Sequence, residues 1–134
     1  MENLFTMSFS KSRINEMSSL GLAHIGDAVY ELLCRSYLCC SGDHTVKTLH
    51  KDTIALVNAQ AQAVFAQKLQ PLLTEEEQGW FRRGKNAHSH PPKSASAKEY
   101  SLATGLEALF GALYLAGRTD RLLELFYKML EQEK

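Results

Sequence analysis

The chain has 134 residues, 45% of them hydrophobic and 22% charged, enough for one domain with a core of its own. Its 15 Lys and Arg balance 15 Asp and Glu, so overall charge argues neither for nor against a nucleic-acid partner. No apolar stretch approaches the ~20 residues of a membrane span, Met1-Glu-Asn-Leu-Phe5 lacks the runs of a secretory signal, and Cys34, Cys39 and Cys40 make neither a disulfide framework nor a zinc cluster; a cytoplasmic protein with reduced thiols and no membrane partner is expected.

Taken in chain order, nearly every strong pattern is helical. Residues 18–40 repeat Leu20, Ala23, Ala28, Val29 and Leu32 at three- and four-residue steps. This predicts a helix with that face buried, capped by Ser18 or Ser19 and ended by Ser41-Gly42-Asp43. Residues 45–69 form a second long pattern through Val46, Leu49, Thr53, Leu56, Val57, Gln60 and Val64, which Pro71 stops. Thr74 and Glu77 make a capping box for a helix that carries Trp80 and Phe81 as core and reaches Lys85, with Gly84 ending or kinking it. Residues 86–96, with Pro91-Pro92 and several serines, read as an exposed loop. Residues 97–116 are apolar nearly all round, which predicts a buried helix, ended by Gly117. A last amphipathic helix over 119–131 offers Leu122, Leu123, Leu125, Phe126, Met129 and Leu130 to the core. No β-alternation of useful length appears. The expectation is an all-α fold of five to seven helices, one domain over residues 1–134.

Two acids interrupt these apolar helices: Asp27 in Leu22-Ala-His-Ile-Gly-Asp-Ala-Val-Tyr-Glu31, and Glu107 in Ala103-Thr-Gly-Leu-Glu-Ala-Leu-Phe-Gly-Ala-Leu-Tyr-Leu115. A carboxylate on an apolar helix face is costly to bury unless something pairs with it. Small residues, Ala103 and Gly111, flank Glu107 at four-residue spacing and let another helix approach. If the two helices pack, both acids reach one place, and a divalent cation is their simplest shared partner. Magnesium prefers such oxygen ligands and suits assisted cleavage of a phosphodiester. Taken alone, Asp27 also reads as a helix-edge acid paired with Arg35. Glu31, one turn on, is either a further oxygen ligand or, more commonly, a solvent-facing charge. His24 reads as structural.

Residues 78–98 hold Arg82, Arg83, Lys85, Lys93 and Lys98, with His88 and His90 and no acid. Arg82, Arg83, Lys85 and Lys98 suit phosphates, and Asn86 can donate and accept beside them. The competing reading is a solvated helix end whose cations complement its dipole. Tyr100 either packs in the core or donates to a phosphate.

Ile25-Gly-Asp-Ala-Val29 strongly resembles the signature of the ribonuclease III family, and Leu106 to Leu115 is similar to its second acidic motif, in the same order and spacing. Arg82-Arg-Gly-Lys-Asn-Ala87 and the run from Tyr100 to Glu107 resemble Mini-III, the short bacterial branch; the resemblance spans residues 18–130. It implies a homodimeric endoribonuclease that cuts double-stranded RNA with magnesium, leaving 5′-phosphate and 3′-hydroxyl ends, and that matures the 23S ribosomal RNA precursor. Asp27 and Glu107 take the family's two acid positions. Where larger members carry further acids, this chain has Leu20, Ala23 and Thr104, so its site has fewer protein ligands. No residues remain for a separate double-stranded-RNA-binding domain, so Arg82, Arg83, Lys85, Asn86, Lys98 and Tyr100 are the expected RNA contacts. Two other readings stay open: a non-catalytic duplex-binding module on the same fold, and a helical protein-interaction domain.

Overall fold

The computed structural model describes residues 1–87 and 96–132, and among these every regular element is helical. There are seven α-helices: α1 Lys11–Glu16, α2 Ser19–Cys40, α3 Val46–Val57, α4 Ala59–Leu69, α5 Glu75–Lys85, α6 Ala97–Leu115 and α7 Thr119–Leu130. No described helix is long and apolar enough to cross a membrane.

Local chemistry sets most boundaries. The Ser18 side chain accepts from the Gly21 N–H to cap α2, so Ser18 and not Ser19 is the cap. The expected capping box opens α5: Thr74 and Glu77 each bond the other's backbone N–H, at 2.9 and 3.2 Å. Ser96 and Glu99 repeat the device at α6. The far end of α6 closes in a Schellman turn. Gly117, at φ 73°, donates to Tyr114 O while Arg118 donates to Leu113 O.

The pattern over 45–69 is two helices, not one. Asn58 sits at ψ 156°, where its Oδ1 caps α4 at the Ala61 N–H and its Nδ2 closes α3 at Ile54 O. Asparagine serves both ends because its short amide satisfies backbone groups better outside a helix than within one. Pro71 then directs a single 3-10 turn, Gln70–Leu72, into α5. Residues 88–95 of the expected 86–96 loop, with His88, His90 and Lys93, lie outside the described residues.

Helix α6 is the axis of the fold. It is buried from Leu102 through Leu106 and again from Ala108 through Leu113, with α2, α4, α5 and α7 packed round it. Trp80 and Phe81 of α5 and Leu122, Leu125, Phe126 and Met129 of α7 complete the core as expected, while Leu123 is exposed. The α2 face is different. Leu22, Ala23, Gly26, Tyr30 and Cys34 are buried, whereas Leu20 and Leu32 are 45% and 60% exposed and Ala28 is exposed too. α2 carries apolar residues on two sides, and only contact with α6 decides which side is inside.

Candidate active site

The site begins with two glycines. A Cβ on Gly26 would lie 1.5 Å from the carbonyl oxygen of Glu107, and one on Gly111 would lie 2.0 Å from Leu22 O. The backbones of α2 and α6 therefore touch, which only residues without a Cβ allow. Asp27 follows Gly26 and Glu107 lies one turn before Gly111, so this crossing sets the two acids side by side. Asp27 is exposed and Glu107 half-buried, at the edge of the core.

The electrostatics follow from that placement. Burial first, and then the neighbouring Asp27 carboxyl through hydrogen bonding and charge, pushes Glu107 up from 4.5 to about 8. A third residue, Gln62 of α4, acts in the opposite direction with its side-chain amide. Gln62 is buried, and its Nε2 has no hydrogen bond of normal geometry among the described residues. Sequence reasoning missed it. The signal was a lone amide among Ala59, Ala61, Ala63 and Ala66, but helical spacing alone does not say which helix it meets.

Thr104 is buried and its hydroxyl donates 2.8 Å back to Tyr100 O, spending itself within α6. Glu31 pairs with Arg35 at 3.1 Å, so Arg35 serves Glu31 and not Asp27. His24 is exposed and lines an apolar cleft with Phe5 and Tyr114. Among the described residues no group of three or more His, Cys, Asp and Glu comes together.

The basic segment ends α5, which packs on an adjoining face of α6. Gly84 does not end α5. It is buried inside the helix, where a Cβ would sit 2.6 Å from Ala108 Cβ and from Thr104 O, so α5 crosses α6 at the turn that carries Glu107. The helix ends one residue later at Lys85, with the Asn86 N–H donating to Arg82 O. Arg82, Lys85, Asn86 and Lys98 are exposed and Tyr100 is half-buried. Arg83 turns inward: its Nη2 donates to Met17 O at the joint of α1 and α2, and its Nη1 is buried without a hydrogen-bond partner among the described residues.

Known proteins resemble this chain in sequence and fold. A sequence model of the ribonuclease III domain matches residues 20–118, which include both acids. The chain is 44% identical to a Mini-ribonuclease 3 of Clostridium tetani over 119 residues, 87% of this chain and 79% of that protein. It is 49% identical to one of Symbiobacterium thermophilum over 107 residues, 79% and 82% of the two. A crystal structure of a Fusobacterium nucleatum protein superposes with a TM-score of 0.81 at 36% identity, covering 88% of this chain and 96% of that one. With the match running through both acid-bearing helices and most of the length of each relative, the chain belongs to the ribonuclease III family, in its Mini-ribonuclease 3 branch, and is an endoribonuclease.

Proposed function

We propose that this endoribonuclease cuts double-stranded RNA at the Asp27–Glu107 pair. The observation that carries the reading is the glycine crossing that presses the two carboxyls together. Both cannot be charged at that spacing without relief from a proton or a cation. The donor set fits magnesium: hard oxygens only, few of them, with one open to water, for an ion that keeps several waters of its own. Asp27 and Glu107 would hold it, and when bound it would supply a Lewis acid for the scissile phosphodiester and for an attacking water.

The remaining work falls to side chains of this chain. Arg82, Lys85 and Lys98 neutralise phosphates of an A-form duplex, Arg83 adds charge beside them, and Asn86 and Tyr100 reach phosphate or sugar oxygens. A second copy covers the open face of α2, where Ala28 and Leu32 line a cleft of about 370 Å³ with Phe5 and Tyr114. Asp27 is exposed one residue before Ala28, so a two-fold axis there brings two acid pairs to one duplex, one for each strand. The substrate is the 23S ribosomal RNA precursor, cut in the cytoplasm to 5′-phosphate and 3′-hydroxyl ends.

Long duplex RNA incubated with and without magnesium, beside Asp27→Asn and Glu107→Gln, tests the reading. Each variant is expected to lose cleavage by on the order of a hundredfold or more while still binding the duplex. Binding without cleavage by the unsubstituted protein would replace it with a non-catalytic duplex-binding module. No binding at low salt would favour a protein-interaction domain.

A further inference from the structure

The helix α4 touches α6 at its acid-bearing turn, and the residue it brings there is an amide. Gln62 is 4% exposed, and its Nε2 is buried without a well-formed hydrogen bond among the described residues. An interior N–H left in that state is costly, and a leucine of similar volume would avoid the cost. Stability therefore gives no reason for a glutamine at this position. Geometry does. Glu107 is half-buried beside the exposed Asp27, and its other neighbour, Gln62 of the packed α4, is buried. A third carboxylate there would add like charge to a pair already in conflict, whereas a neutral amide offers two N–H donors and adds none.

We propose that Gln62 is a positioning residue of the acid pair, its carboxamide N–H poised inside the core to hold the Glu107 carboxylate. The inference rests on the reading of Asp27 and Glu107 as the catalytic pair. The unmade bond at Nε2 leaves a donor free to follow Glu107 as that carboxylate turns toward the substrate side.

Gln62→Met and Gln62→Leu keep the volume and remove the donor. Both are expected to melt at or above the temperature of the unsubstituted protein, to keep KM for duplex RNA within about twofold, and to lose kcat by about tenfold or more. A melting-temperature cycle of Gln62→Met with Glu107→Gln, read without substrate or magnesium, is expected to be non-additive by about 2 °C or more. Full kcat in both variants, or additive melting shifts, would overturn the proposal. If a variant is destabilised, the cycle alone decides. Failure of the unsubstituted protein to cleave would count against the catalytic pair itself and would leave the melting cycle to judge the Gln62–Glu107 contact.

Discussion

Arg82 and Arg83 are neighbours of the same type on one helix, yet their surroundings separate them. Arg82 points to water, while Arg83 spends Nη2 on Met17 O. Arg82→Ala should change stability by less than about 0.5 kcal/mol but weaken duplex binding and reduce its salt slope by about one. Arg83→Ala should also cost about 1–2 kcal/mol of stability, because a charged hydrogen bond across two elements is lost. Equal melting temperatures for the two variants would contradict this division. Glu107 makes a second prediction. Its value in the fold, about 8, lies above the ordinary 4.5, so between these values the folded chain holds a proton that the unfolded chain has released. The contribution is fully present below about 4.5 and is lost as pH rises through about 8. Metal-free protein should therefore melt lower at pH 8.5 than at pH 5.5 by more than Glu107→Gln does, and magnesium should restore part of the difference at the higher pH. Parallel pH profiles for the two proteins would exclude this role.

Helix crossings decide the geometry at the next scale. Gly26 and Gly111 let α2 and α6 touch, and Gly84 with Gly105 does the same for α5 and α6. Because the atom that a Gly26 Cβ would strike is backbone, it cannot swing aside. Gly26→Ala should cost about 3 kcal/mol or more and separate the acids, so that activity measured well below the melting temperature also falls. Full activity with a lowered melting temperature would show that the crossing supports the fold without setting the site. The Asn58 break belongs to the same scale. Alanines on both sides favour helix throughout, and one residue with better hydrogen bonds outside the helix redirects the chain so that α4 lies along α6. That redirection is what brings Gln62 to Glu107.

At the scale of the molecule, the core is built around α6, and α2 is left with a second apolar side. Leu32 is 60% exposed there, and Phe5, 90% exposed, lines the same cleft. A contiguous apolar cleft of this kind is suited to an interaction surface. Leu32→Glu should halve the mass seen by sedimentation and leave the helical circular dichroism intact. It should also slow cleavage, since two acid pairs no longer meet one duplex. A monomer for the unsubstituted protein would remove the second copy from the mechanism.

Most of the helices were legible in the sequence, though not α1 or the break at Asn58. The capping box at Thr74–Glu77, the stop at Pro71, the all-round apolar run of α6 and two acid motifs are local facts, because hydrogen bonding and periodicity act within a few residues. The acids at Asp27 and Glu107 were legible because a carboxylate set in an apolar helix is costly without a partner. Which side of α2 is inside, why Arg83 differs from Arg82, and that Gln62 neighbours Glu107 were decided only in three dimensions. Each of these depends on contacts between residues far apart in the chain, 66 positions for Arg83 and Met17. Side-chain spacing within one helix carries no information about the helix it will meet.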